Sequence, residues 1–381
     1  MEMLFSYPDK IKIERAEFYR LSPIPLPRPF KDGTGGIRTT SLFGNWVKLF
    51  DVDGICGEGP CTDLMLNFFI PIILKSEAMT NMELVEKLYW NIRNFGYQSP
   101  YVRELGSLDM ILLDLLAKRR KQPLHRFLGA KKDWANVYKG GGSVLLSDEE
   151  LVEDMLRFKS EGYHQTKFKI GLTKDWSKDL KRLEKVRMAL GDDFKIAVDA
   201  NQAWDIDTAF DFTKEAAAYH ISWFEEPIHA YDMTGLRKLT DRLAEADIQV
   251  PIAMGESVRS YHTFVAYADS GVKHLQPANA AMYCLAETMR VRDLANERGL
   301  FLETGGITFS NVVLGTLYED NGQIEYHQPI MEVLVPYLEV MSDIKDGKFY
   351  LPNIPGLPMR LDFEHLKKDG LLEEVIYKYS K

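Results

Sequence analysis

Cysteine is scarce in this chain: Cys56, Cys61 and Cys284 are the only three among 381 residues. An odd, sparse set excludes a disulfide framework and points to reduced thiols, hence to a cytoplasmic protein. Positive charge is also in deficit, with 47 Lys and Arg against 56 Asp and Glu and a net charge of −9. That balance argues against general attraction to nucleic acid or to an anionic membrane surface. Long apolar runs are missing too: the best, LNFFIPIIL, is about half of the roughly 20 residues a membrane span needs. The start, MEMLFSYPDKIKIERAEF, lacks the basic segment and apolar run of a secretory signal, so a soluble, unexported protein is expected. What remains is ordinary globular material, 45% hydrophobic and 27% charged, and long enough for one large domain with smaller pieces.

The texture changes along the chain. KIKIERAEFYRL and GNWVKLFDVDGICGEG interleave polar and apolar residues at period two and read as strands. MTNMELVEKLYWNIRN and YVRELGSLDMILLDLLAKRRKQ repeat apolar residues every three to four positions and read as helices. Residues 1–130 are therefore expected to form an α+β unit. Within it the Pro- and Gly-rich IPLPRPFKDGTGGIRTT reads as a long loop, of the kind that serves as a lid. From about residue 131 to 355 a short apolar run, a turn and an amphipathic helix recur. The runs are NVYKGGGSV, HQTKFKIG, KIAVDAN, ISWFEEPI, VPIAMGES, KHLQPAN, LFLETGG and QIEYHQ. Eight strands alternating with helices predict a (β/α)8 barrel of the TIM type. An open doubly wound sheet is the alternative, but no Gly-rich dinucleotide fingerprint follows the first strand. Residues 356–381 are expected to return to the N-terminal unit.

The acids fall in a pattern. Asp199 closes KIAVD, Glu225 closes ISWFE and Glu256 closes VPIAMGE, so three consecutive strands each end in a carboxylate. Parallel barrel strands end on one face, which brings the three into one mouth. Each could cap the helix after its strand, yet three together repel unless a cation sits among them. Few, oxygen-only ligands suit Mg²⁺, with positions left for water and substrate. One unit earlier, Lys167 and Lys169 stand at i and i+2 of KFKIG, so both side chains leave the same face of the strand. Lysines at strand ends ordinarily reach for solvent. Two on an inward face beside a metal site are expected instead to lower each other's pKa and free one as a base.

KxK on the second strand, DxN on the third, EEP on the fourth and GE on the fifth together resemble the enolase superfamily, in its mandelate racemase/muconate lactonizing branch. DVDGICGEGP, SLDMILLDLLAKRRKQPLHRFLGA and LQPAN resemble further parts of the same family, so the likeness runs through nearly the whole chain. It implies a barrel under an N-terminal capping domain, with Asp199, Glu225 and Glu256 on Mg²⁺ and Lys169 as general base. It also implies Lys167 steadying the substrate carboxylate and the base, and Glu325 of IEYH helping to hold that carboxylate. In such enzymes a lysine or histidine removes a proton beside a carboxylate while the metal offsets the charge that develops. IPLPRPFKDGTGGIRTT, carrying Lys31, and the CGEGPCTDL region would then be lids over the mouth. Asn201, beside the metal ligand Asp199, is a further candidate contact to substrate.

The likeness breaks on the far side. Racemases of this branch carry a second base there, either His on the seventh strand backed by Asp on the sixth, or Lys on the sixth. This chain has Ala278 and Asn279 on the sixth, and Glu303, Thr304 and Gly305 on the seventh. Lys273 and His274 come too early on their strand and read as core or barrel-bottom residues. A missing second base counts against racemisation and favours syn β-elimination of water from a hydroxy or sugar acid, a lyase with a small carboxylate as its partner. Epimerisation or cycloisomerisation would need Glu303 or a lid residue such as Lys31 to supply the missing acid, while Thr304 is a candidate contact to substrate. A non-catalytic carboxylate-binding homologue is the alternative of another class. Fold analogy further suggests a homo-oligomer.

Overall fold

A computed structural model describes residues 5–34, 38–278, 282–305, 308–339 and 343–378. Asn279, expected at the end of the sixth barrel strand, lies outside them. Strands β1 (Ile13–Lys31), β2 (Arg38–Asp51) and β3 (Cys56–Cys61) form an antiparallel sheet. Its fourth strand, Leu372–Lys378, comes from the far end of the chain and pairs along β1 from Arg15 to Leu21. Period-two alternation gives this sheet two apolar faces. Ala16, Phe18, Val47 and Leu49 pack on the helices Asn81–Ile92 and Pro100–Arg119, whereas Tyr19, Leu21, Ile24 and Trp46 join the core of the barrel. The first helix is started by a Thr80–Glu83 capping box. The second supplies two buried acids that bind across the seam: Asp109 accepts from the Leu285 amide at 2.9 Å and Asp114 from the Leu357 amide at 2.7 Å.

The barrel strands are β4 (Trp134–Gly141), β5 (Gln165–Lys169), β6 (Lys195–Asp199), β7 (Phe224–Glu225), β8 (Ile252–Met254), β9 (His274–Leu275), β10 (Phe301–Thr304) and β11 (Gly322–His327). Each pairs in parallel with the next, and β11 pairs with β4, so the sheet closes. All eight predicted runs are barrel strands. Tyr138, Ala197, Trp223 and Ala253 point inward and plug the lumen below the mouth. The helices outside begin and end as their sequences require: Ser147 and Glu150 form a capping box for Asp148–Ser160, and Gly299 closes Leu285–Arg298 at φ 64°.

Two expectations need correction. IPLPRPFKDGTGGIRTT is not an irregular loop. Most of it is the extended end of β1 and the start of β2, paired from Ile24↔Leu42 to Lys31↔Arg38 with register shifts between. This arm reaches over the barrel mouth, where Gly33 sits so close to β5 and β6 that a Cβ would collide with the Ile170 carbonyl and lie 2.7 Å from that of Ala200. Nor is CGEGPC a lid. It is the edge strand β3, laid on the helix Pro100–Arg119, with Gly57 so near that a Cβ would meet the Ile111 carbonyl.

Candidate active site

The lumen side chains are placed by register. Lys167 is paired with Gly140 of β4 and Ala197 of β6; one pleat nearer the mouth, Lys169 pairs with Asp199, and Asp199 with Glu225. Glu256 follows two residues after β8. Asp199, Glu225 and Glu256 each offer a carboxylate oxygen within 4.8 Å of the others. Asp199 and Glu225 are fully buried. Glu325, on β11, completes a ring of acids around the lysines. Lys167 Nζ donates to both Glu225 oxygens at 2.7 and 2.8 Å, and lies 3.6 Å from Asp199 and 3.5 Å from Glu325. Lys169 Nζ donates to Asp199 Oδ2 at 2.5 Å.

The lysines are not depressed bases here. Burial works against both ammonium groups, but Glu225 and Glu325 around Lys167, and Asp199 beside Lys169, outweigh it and raise both pKa values. The repulsion expected from the KxK spacing exists, since the Lys167 ammonium pulls the Lys169 pKa down, but the carboxylates dominate it. The Glu256 carboxyl shows the complementary imbalance: burial pushes it up, and Asp199 adds to the push against the pull of Lys169. A divalent cation fits this donor set. Burial, with Asp199 adding to it, also pushes the Glu225 carboxyl well up, so three converging hard oxygens are short of counter-charge that a divalent cation would supply.

The mouth also stores backbone strain. Asn201, Gln202 and Glu226 adopt φ of 45°, 68° and 40° although none is glycine. The turn aims the Asn201 amide at Asp199 Oδ1, 2.8 Å away, and its Nδ2 donates to Glu256 Oε1 at 3.1 Å. Asn201 thus bridges two of the three acids. Gln202 donates to Glu226 at 2.9 Å and to Ser257 at 3.0 Å, and burial with Glu256 nearby pushes the Glu226 carboxyl up to about 8. Sequence reasoning passed over Gln202. It also missed Gly140, where a Cβ would fall inside the Glu325 carboxylate; the GGG run was the available signal.

The remaining candidates are scattered. Glu303 points into the lumen below the lysines, where it accepts from the Tyr138 hydroxyl and from Gln276 Nε2 at 3.4 Å, with His274 Nε2 also 3.4 Å away. His274 is therefore the barrel-bottom residue expected. Thr304 does not join the site. One residue further along β10, it faces the opposite side, donating to the Pro277 carbonyl at 2.9 Å and meeting the Tyr318 hydroxyl. Lys31 is fixed by its main chain at the loop after β4: its amide donates to Ser143 Oγ at 2.9 Å and its carbonyl accepts from the Val144 amide at 3.0 Å.

Residues 150–366 match the family described as enolase C-terminal domain-like. Among curated relatives, the L-talarate/galactarate dehydratase of Salmonella typhimurium is 28% identical over 73% of this chain and 68% of its own length. The 3,6-anhydro-alpha-L-galactonate cycloisomerase of Streptomyces coelicolor is 25% identical over 92% of this chain and 97% of its own. A crystal structure of the Salmonella dehydratase, liganded with Mg and L-lyxarohydroxamate, superposes with a TM-score of 0.86 at 23% identity, covering 98% of this chain and 96% of that one, and shows the same fold. With a closed barrel whose third, fourth and fifth strands deliver three acids to one mouth beside two lysines, the chain belongs to the enolase C-terminal domain-like family, in the mandelate racemase/muconate lactonizing branch.

Proposed function

We propose that this enzyme removes the proton beside a substrate carboxylate and eliminates water from a hydroxy acid of the sugar-acid type, with Lys169 as the base. The observation that carries the reading is the contact of Lys169 Nζ with Asp199, one of three clustered acids, on the same strand face as Lys167. Asp199, Glu225 and Glu256 would hold Mg²⁺, which supplies positive charge to the substrate carboxylate as negative charge builds on it. With those carboxylates turned to a cation, Lys167 and Lys169 keep their mutual repulsion and lose their strongest counter-charges, so the Lys169 pKa falls. Lys169 Nζ then takes the α-proton, and the C–O bond at the adjacent carbon breaks. The same Nζ returns that proton to the departing hydroxyl, releasing water and an enol that rearranges to a keto acid. Lys167 and Glu325 orient the carboxylate, with Asn201 fixing Asp199 and Glu256. No second base is needed, in keeping with Ala278 and Gly305 just past the far strands β9 and β10.

The curated relatives include both a dehydratase and a cycloisomerase, and one experiment separates these outcomes. In D₂O with Mg²⁺, aldonates and aldarates are followed by proton NMR for loss of the α-proton signal and for keto-acid product. Wild type yields both, and Lys169→Met yields neither while still binding Mg²⁺ by calorimetry. Exchange without a keto acid would point to epimerisation or cycloisomerisation. Mg²⁺ binding indifferent to Glu225→Gln would remove the basis of the mechanism. We further place residues 1–130 and 356–381 in one capping unit over a barrel of 131–355, and the protein in the cytoplasm, a reading supported by three free thiols.

A further inference from the structure

His327 ends β11 two residues after Glu325. Glu325 faces the lumen, 3.5 Å from Lys167 Nζ, whereas Tyr326 turns outward against Tyr163 and Phe349. Alternation therefore returns His327 to the lumen side, one pleat nearer the mouth than Glu325. Its register partner is Gly140, which is paired onward with Lys167, and the Glu325 carboxylate fills the room that Gly140 leaves beside the lysine strand. From above, Phe30 of the arm meets the imidazole edge-on, with ring centroids 5.4 Å apart. Nδ1 is buried and has no hydrogen-bond partner among the described residues. Such an atom is costly to leave unpaired, and a ligand that supplies the partner recovers that cost. Burial, with Lys169 and Lys167 adding to it against Glu325, pushes the imidazole down to about 4, so the ring is neutral near neutral pH. A neutral imidazole pairs with a neutral hydroxyl, while a carboxylate is better served by the lysines.

We infer that His327 is a specificity-determining residue that hydrogen-bonds a hydroxyl of the substrate through its unpaired Nδ1, beside Phe30 of the arm. The inference rests on the hydroxy-acid reading above and narrows it: the acid carries a hydroxyl that the site senses separately from the carboxylate. Phe30, packed edge-on against the ring, shields that contact from water, which sharpens the discrimination.

The test begins with five- and six-carbon aldonates and aldarates, galactarate among them, screened for thermal stabilisation of the Mg²⁺-loaded protein. The best acid is then compared by calorimetry with each of its monodeoxy analogues, in wild type, His327→Phe and His327→Asn. Wild type should prefer the parent acid over one analogue by roughly 10- to 100-fold, the loss expected when a buried polar atom is left unpaired. In His327→Phe that ratio should fall to about one with Mg²⁺ affinity unchanged, and His327→Asn, which keeps a polar group there, should restore part of it. Ratios unchanged in His327→Phe, an equal loss for parent and analogues, or loss of Mg²⁺ binding in both variants would each overturn the assignment and leave the hydroxy-acid reading standing. If no hydroxy acid stabilises wild type, that reading fails and the role of His327 falls with it.

Discussion

Glu104 is 1% exposed in the helix Pro100–Arg119, and its carboxylate accepts from the Thr62 amide at 3.0 and 3.2 Å and from the Thr62 hydroxyl at 2.8 Å. Burial nevertheless pushes its pKa from an ordinary 4.5 to about 7, against the Thr62 hydrogen bonds. A carboxyl raised in the folded state favours folding while protonated. Its contribution is complete below about pH 4.5 and is lost as the pH rises through about 7. At about 1.4 kcal/mol per pH unit, that interval amounts to about 3 kcal/mol. Glu104→Gln keeps an acceptor for the Thr62 amide, offers a donor to the hydroxyl oxygen and removes the ionisation. Urea unfolding should therefore show the variant more stable than wild type by about 3 kcal/mol near pH 8, with the gap closing towards about pH 4.5. A difference that does not change with pH, or a variant less stable than wild type at pH 8, would refute the reasoning.

Two further substitutions test the mouth. Gly140→Ala places a Cβ inside the Glu325 carboxylate, which must swing away from Lys167. We expect a loss of about 1–3 kcal/mol in stability from overpacking and a marked fall in turnover, with Mg²⁺ affinity by calorimetry nearly unchanged. Equal activity would show that Glu325 does not orient the substrate. Gly33→Ala would collide with the Ile170 carbonyl, and neither that carbonyl nor its neighbour at Ala200 can rotate aside as a side chain could. The arm should lift, which we expect to raise KM on the order of 10-fold through loss of positioning and to speed amide exchange at Phe30 and Lys31. Unchanged exchange would mean that the arm adapts without lifting.

The barrel is legible in the sequence because its strands are closed off on both faces, by the lumen plug and by the helices, and so read as short apolar runs ending in a polar residue. The arm is not, because Pro25, Pro27 and Pro29 imitate a loop. Proline lacks the donor that a central strand requires, but at two-residue spacing it sits along an extended ribbon whose pairing is already interrupted by register shifts. Local composition reports how well a segment could bond internally. It does not report that a neighbouring barrel holds the segment extended.

The site divides in the same way. Strand ends are visible in sequence, so the clustering of Asp199, Glu225, Glu256 and both lysines in one mouth is legible. Parity on a strand is not fixed by where a run ends, and this is how Glu303 and Thr304 came to be treated alike. Glu303 faces the lumen, and Thr304 binds the Pro277 carbonyl and the Tyr318 hydroxyl. The lysine pKa values in the metal-free site are not legible for a related reason. Spacing within KFK shows two like charges but not the acids that neighbouring strands interpose. With Asp199 at 2.5 Å from Lys169 and Glu225 at 2.7 Å from Lys167, opposite charges outweigh the pair's own repulsion. A base in this lumen is therefore made by whatever turns those carboxylates away from the ammonium groups. It follows that the protonation state of Lys169 and the occupancy of the acid cluster are one linked equilibrium, in which binding a cation should release up to one proton once the lysine pKa is brought down to the ambient pH.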